Sequence, residues 1–379
     1  MKAIVVGAGV GGLTAALALR ARGIEVEVLE SAPGERTSGG GLGVACNASK
    51  VLRALGVDLA ASGVGRVCER FSLRTPSGKP MRELPIASIA VELGAPVVNV
   101  RRHDLITALR AALGDTAVHY GANVVGFDRV AGGVTAITLD GRMRSADVLV
   151  GADGIRSVVR GQLFGPEPVN EYGYVCWIAT VPFTHPNLPP GAAAHYWGRG
   201  KRFGLLDIGG GDAYWWGTMN VPAGRRSGGK PEVLRCFDGW APEVVDIVRR
   251  TPPEDIVAVP AQDRAFRDQP GEGPVTLVGD AAHPMLTSLS QGAGSAIEDG
   301  YHLAHALAAA DHPVTGLRAY ERARRDRVRA LVAASRRLSR VEQLANPLAV
   351  ALRDLAIKHA PRAVVRRGNL APMRYDLPA

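Results

Sequence analysis

The chain is poor in cysteine and in aromatic side chains, and it has no long apolar run. Its four cysteines, Cys46, Cys68, Cys176 and Cys236, stand far apart, with no CxxC and no Cys/His cluster. That spacing argues against a disulfide framework or a zinc site and suits a reducing cytoplasm, so no metal is expected. No stretch reaches the ~18 apolar residues that a membrane span needs. The apolar start MKAIVVGAGVGG is interrupted by glycine too soon for an export signal. Internal repeats and low-complexity linkers are missing as well. Aromatic residues make up only 5% of the 379, yet four of the five tryptophans, Trp177, Trp197, Trp215 and Trp216, fall in one stretch.

What is present describes a globular protein with a large core, 46% hydrophobic and 21% charged, long enough for two domains. The net charge of +9 comes from 45 basic against 36 acidic residues, with nine arginines between Arg318 and Arg340. That segment lacks the interleaved aromatics that base stacking needs. It is therefore expected to be a solvated helix face rather than a nucleic-acid or membrane-surface patch.

The N-terminal residues read as a βαβ unit. KAIVVG is a continuous apolar run ending in glycine, GLTAALALRARG follows with helical spacing, and EVEVLE is the next strand. Gly7-Ala8-Gly9-Val10-Gly11-Gly12 satisfies GxGxxG at the strand-to-helix turn. Gly7 allows the tight turn, Gly9 lets a pyrophosphate reach the backbone, and Gly12 permits close helix–strand packing. Glu30 closes the second strand, placed to accept from a ribose hydroxyl. These features predict a dinucleotide, without separating NAD from FAD.

Further along, RRHDLITALRAAL reads as a helix, and AVHYGANVVGFDRV, VTAITLD and SADVLVGAD read as strands. From about Tyr172 to Asn220 the pattern is mostly strand. PVTLVGD restores the α/β pattern, and helices are predicted from QGAG onward, over about Val314 to Val341 and, more weakly, Leu348 to Lys358. The fold class expected is α/β: a Rossmann-like domain assembled from separated pieces, an inserted, mainly antiparallel β-sheet domain, and C-terminal helices. Ligands of such assemblies sit at the domain boundary.

The stretch VGDAAHPMLTSLSQGAGSAIEDG, 278–300, is a second glycine-rich turn leading into a helix. A nicotinamide dinucleotide gives it no duty. FAD does, because its ribityl chain and three-ring system extend past the pyrophosphate. Asp280 is then placed to accept from a ribityl hydroxyl, and Gly292, Ala293 and Gly294 to offer N–H groups to the flavin. Taken alone, GDAAHP also reads as an ordinary β-to-α loop with an Asp cap.

GAGVGG with Glu30, GADGIRSVVR at 151–160 and VGDAAHP…QGAG…AIEDG resemble, in order and spacing, the fingerprints of the class A, single-component FAD-dependent aromatic monooxygenases of the p-hydroxybenzoate hydroxylase fold. The resemblance covers nearly the whole chain and is strongest to salicylate- and urate-hydroxylase-like members. It implies an FAD-binding domain at 1–68, 101–168 and 271–340, a substrate-binding sheet domain at 69–100 and 169–270, and a helical segment at 341–379. Cofactor contacts are implied for Glu30, Gly43, Arg102, Val124, Asp153 and Asp280; on their own residues Asp153-Gly154 read equally as a turn and Arg156 as a capping or ion-pair residue.

The chemistry implied is hydroxylation or epoxidation of a small aromatic or secondary-metabolite substrate, with NAD(P)H and O₂, through a C4a-hydroperoxyflavin. No nucleic acid and no membrane span are expected, and the chain would be a cytoplasmic monomer or homodimer. Arg202 and Tyr214 match positions that are functional in urate-hydroxylase-like members and are the candidate catalytic residues. Trp177, Trp216 and Thr287 are candidates for the substrate pocket; Tyr214 and Trp216, two apart on one strand, share a face. Core packing is the competing duty for these aromatics, and a loop position for Arg202. The chain departs from its relatives at Thr287, usually Pro, and Ser290, often Gly. Two alternatives stay open: an FAD-dependent reductase that does not use O₂, and a non-enzymatic flavin-binding regulator. The absence of a second GxGxxG and of a CxxC argues against a disulfide reductase.

Overall fold

The computed structural model describes residues 1–35, 40–222, 225 and 227–378. Its fold is α/β. A five-stranded parallel sheet runs in the order Val275–Leu277, Val148–Gly151, Lys2–Val6, Glu25–Glu30, Val118–Tyr120. Both of its faces are covered, which is why the inner strands Lys2–Val6 and Val148–Gly151 read as apolar runs. Ala3, Val5, Val26, Val28, Val148 and Val150 point into a core with the helices Val10–Ala21, Arg102–Leu113 and Gly292–Ala308. The alternate residues Ile4, Val6, Leu29, Leu149 and Leu277 meet Val124, Phe127, Val134 and Ala136 of an antiparallel three-stranded sheet.

The stretch from Asn170 onward forms most of a seven-stranded sheet, ordered Val257–Asp263, Asn170–Pro182, Asp212–Asn220, Lys201–Gly209, Ala192–Trp197, Arg70–Arg74, Pro80–Leu84. Every pairing is antiparallel except Ala192–Trp197 with Arg70–Arg74. One face carries Trp177, Trp215 and Phe203, closed over by Phe237, Val244 and Ile247 of the region Lys230–Arg250. The other carries Tyr214, Trp216 and His195. A small antiparallel sheet, Gly41–Val44, Val98–Arg101 and Arg66–Val67, joins the two large ones.

The C-terminal helices are Pro313–Glu342, Pro347–His359 and Arg362–Met373. The last lies within the helical segment 341–379 that the resemblance implies; its periodicity is interrupted by Gly368 and Pro372, and Leu370 and Met373 hold it by packing into an apolar cluster. The late arginines also require a correction. Arg324 is buried between Glu298 and Asp299, at 2.7 Å from each, and Arg327 binds Glu298 at 2.6 Å. Arg318 pairs with Glu321, Arg329 with Asp268 and Arg336 with Asp263. Much of the positive charge is thus spent on fastening this helix to carboxylates of the AIEDG segment and the sheet domain. The four cysteines are free and buried.

Candidate cofactor and substrate site

The first turn divides its glycines by task. Gly7 has a φ of 106° and its missing side chain leaves room for Ala152, whose carbonyl oxygen would lie 2.5 Å from a Cβ. A Cβ on Gly12 would sit 1.9 Å from the Gly7 carbonyl, so this position holds helix against strand. Gly9 has no atom within 4 Å of a Cβ position. Open space at Gly9, beside the uncapped start of helix Val10–Ala21, is the cradle a pyrophosphate needs. Glu30 braces this turn: its carboxylate accepts from the Ala8 N–H at 2.7 Å and the Ala32 N–H at 2.8 Å.

The second turn lies against the first. Cβ atoms on Gly11 and Gly279 would come 3.1 and 2.8 Å from the Ala296 Cβ, and one on Gly300 would come 2.7 Å from the Ala15 nitrogen. Helix Gly292–Ala308 starts without a side-chain cap, so the N–H groups of Gly292, Ala293 and Gly294 are open to a ligand. Asp280 stands beside Gly292, its Oδ1 3.9 Å from a Cβ there. It reaches solvent yet is surrounded by protein, and that desolvation raises its pKa against the pull of His283 and Arg102. The turn is held from behind by Asp299, which accepts from the Gly279 N–H at 2.9 Å and is held well below the ordinary carboxylate range, burial being outweighed by His283 and Arg324.

Arg102 is exposed at the start of helix Arg102–Leu113. Its own N–H donates to the Gly40 carbonyl, and Gly40 and Gly41 lie flat on the Tyr214 ring, where a Cβ would come within 2.8 and 2.6 Å. The same segment runs on into helix Cys46–Ala54, whose Asn47 donates to Gln291 at 2.9 Å, so it joins the sheet face bearing Tyr214 to the second turn. On that face Tyr214 and Trp216 stand with ring centroids 5.6 Å apart, and His195 packs edge-on against both Trp216 and Phe71 at 4.6 Å. Trp216 lies over Gly204, where a Cβ would meet its ring at 2.0 Å. Burial lowers the His195 pKa to about 3, helped by Arg202, so the ring is neutral.

Arg202 is not a loop residue. It is buried in strand Lys201–Gly209, and its Nη1 pairs with Glu342 at 2.6 Å. Its Nε and Nη2 have no partner among the described residues. Burial pushes the Glu342 carboxyl up, offset in part by Arg202, and Ser288 of the turn Thr287–Leu289 faces the same carboxylate. Thr287, exposed, opens that turn.

The sequence pattern of the FAD binding domain family matches residues 1–335 of this chain. The chain belongs to that family. It is a class A FAD-dependent monooxygenase. Aurachin C monooxygenase/isomerase of Stigmatella aurantiaca is 34% identical to it over 358 residues, 93% of this chain and 92% of that protein. FAD-dependent urate hydroxylase of Klebsiella pneumoniae is 32% identical over 342 residues, 89% of each. The crystal structure of Klebsiella pneumoniae HpxO complexed with FAD and uric acid superposes with a TM-score of 0.92 at 27% identity, covering 98% of this chain and 96% of that one.

Among the positions expected of a class A monooxygenase, the structure gathers Gly7, Gly9, Gly12 and Glu30 at the first turn, and Asp280, Gly292, Ala293 and Gly294 at the second; Arg102 stands beside Gly40. The others lie differently. Gly43 pairs with Asn99 in the joining sheet, while Gly40 and Gly41 make the close approach to Tyr214; Gly39 of the same loop lies outside the described residues. Val124 buries its side chain with Leu29, next to a loop whose Gly121 N–H donates to Ala32. Asp153 touches the Gly7 turn but spends its carboxylate on the N–H groups of Val158 and Val159. Trp177 needs correction as a pocket residue: it faces away from Tyr214 and Trp216, packs on Phe237 and donates to Ser227.

His195, Phe71 and Glu342 are additions that the sequence did not reveal. The two-residue period places His195 on a face only after the strand register is known, and Glu342 lies 140 positions from Arg202.

Proposed function

We propose that this enzyme uses NAD(P)H and O₂ to insert one oxygen atom into a small, apolar aromatic or secondary-metabolite substrate held on the Tyr214–Trp216 face. The balance is substrate, O₂, NAD(P)H and a proton giving oxygenated substrate, NAD(P)⁺ and water. Bound FAD supplies the electron transfer and the activation of O₂. The observation that carries this reading is the segment Gly40–Asn47, which lies against Tyr214 at Gly40 and Gly41 and against the second turn at Asn47, whose Nδ2 donates to Gln291 at 2.9 Å.

The chain's residues then take distinct duties. Gly9 and the N-terminus of helix Val10–Ala21 bind the pyrophosphate, Glu30 a ribose, and Asp280 a ribityl hydroxyl. The N–H groups of Gly292 to Gly294 face the ring edge, where partial positive charge stabilises an anion. Tyr214, Trp216, His195 and Phe71 exclude water and orient the substrate. Arg202, with two unpartnered nitrogens in an apolar setting, holds a polar or anionic substrate oxygen. Substrate binding is assigned to 69–100 and 169–270, cofactor binding to 1–68, 101–168 and 271–340, and the four buried thiols support a cytoplasmic setting.

The test is to supply purified holoenzyme with NADH or NADPH, labelled O₂ and a panel of phenols, purines, quinolines and polyketide aromatics. Oxygen from labelled O₂ in a product is the expected result. Substrate-dependent NAD(P)H oxidation with no O₂ consumption would replace this reading with a reductase.

A further inference from the structure

Helix Pro347–His359 carries its leucines on the outside. Leu348, Leu352 and Leu355 are 76%, 67% and 56% exposed, and their spacing of four and three residues places them in one stripe with the exposed Ala351 and Ala356. The inward face is well anchored. Arg353 is buried over the Trp197 ring and donates to the Gly198 and Glu342 carbonyls, and Arg82 donates to the carbonyls of Ile357, Lys358 and Ala360. The stripe is therefore a fixed feature of the folded helix. Val364 of the next helix is exposed too, at 61%.

The charge around this stripe selects its partner. Residues 347–379 hold six basic side chains against two acidic ones. Of the two acids, Asp354 is taken by Arg353 and Asp376 is exposed; Glu92, on the neighbouring helix Ile86–Leu93, is taken by Arg366 and Arg374. Lys358, Arg362 and Arg367 are exposed, with no ion-pair partner among the described residues. A second copy of a chain with a net charge of +9 would bring these cations against its own like charges. A layer that is apolar within and negative at its rim fits both properties, which is the structure of an anionic phospholipid surface.

We infer that Leu348, Leu352, Leu355 and Val364, with Lys358, Arg362 and Arg367, form a docking surface for an anionic lipid bilayer, on which the enzyme lies without spanning it. Among the described residues no helix is long and apolar enough to cross a membrane. The helices that carry this surface pack on the sheet that bears the aromatic face. Helix Pro347–His359 rests on the edge strand Pro80–Leu84, and Leu370 and Met373 of the following helix pack in the cluster that includes Tyr214 and Trp216. A lipophilic substrate dissolved in the bilayer would therefore leave it beside its pocket. The docking itself stands whether or not the oxygenation reading holds.

The test is co-sedimentation of the holoenzyme with vesicles of phosphatidylcholine alone and of phosphatidylcholine with phosphatidylglycerol. The wild type is expected to pellet with the anionic vesicles about tenfold more than with the neutral ones, and less at high salt. The combined variant Leu348→Ser, Leu352→Ser, Leu355→Ser and, separately, Lys358→Gln, Arg362→Gln, Arg367→Gln should each lose about tenfold in binding, with flavin absorbance and melting temperature retained. Wild-type protein left in the supernatant with anionic vesicles overturns the proposal, as does a folded leucine variant that still pellets. Sedimentation velocity provides the third arm: a wild-type dimer that the leucine changes dissociate would make this face a contact between copies instead.

Discussion

Arg202 and Glu342 meet at 2.6 Å with both side chains almost wholly buried, joining the central strand of the seven-stranded sheet to the end of helix Pro313–Glu342. Removing one charge strands the other in a medium that cannot solvate it. Glu342→Gln should therefore cost about 3 kcal/mol of stability, read by urea unfolding. Arg202→Met combined with Glu342→Leu should restore most of that stability and still lack oxygenation. Recovery of activity along with stability would remove Arg202 from the chemistry.

The two outer tasks of the first turn are separable. Gly9→Ala adds a Cβ with nothing within 4 Å, so the protein should fold to within about 1 kcal/mol of wild type and lose FAD affinity, measured by flavin titration. Gly12→Ala places a Cβ 1.9 Å from a backbone oxygen and should abolish soluble folded protein. Equal FAD affinity in Gly9→Ala would remove the pyrophosphate from this turn.

Ser290 ends the turn Thr287–Leu289 with a φ of 53°, the one positive φ outside glycine among the described residues. A side chain there costs about 1 kcal/mol. Ser290→Gly should raise the melting temperature by about 1–2 °C in a scanning calorimeter.

Thr287 occupies the first position of its turn, where a proline ring fits without losing a helical hydrogen bond. Thr287→Pro should fold normally and change the product formed per NAD(P)H consumed. An unchanged ratio and rate would count against a pocket role for Thr287.

His195 is held neutral, its pKa depressed from 6.5 to about 3, and burial likewise takes His302 to about 4. The unfolded chain binds these protons near pH 6.5 and the folded one does not. Their stabilisation is full above that pH and is lost as pH falls toward the folded values, up to about 2 kcal/mol for each by pH 5. Urea unfolding at pH 7.5 and 5 should show the loss, and His195→Gln should remove about half of it.

The inner strands of the parallel sheet are legible because they are buried on both faces and the turns after them need glycine; sequence carries both signals directly. The strands from Asn170 to Asn220 are legible from alternation. Short helices such as Cys46–Ala54 and Ile86–Leu93 are not, since so few residues give no dependable period and tertiary packing decides them.

The sequence by itself determined the two glycine turns, Glu30 and Asp280, because each follows from what a backbone can do within a few residues. Which tryptophan shares the face of Tyr214 was decided only by tertiary structure. Trp177 and Trp216 are alike in composition and local pattern, and strand register sends one to the covered face and the other to the site. The fate of the late arginines was decided in the same way: a positive charge on a helix is solvent-facing or buried according to whether the fold delivers a carboxylate, and Glu298, Asp299 and Asp263 arrive from elsewhere in the chain.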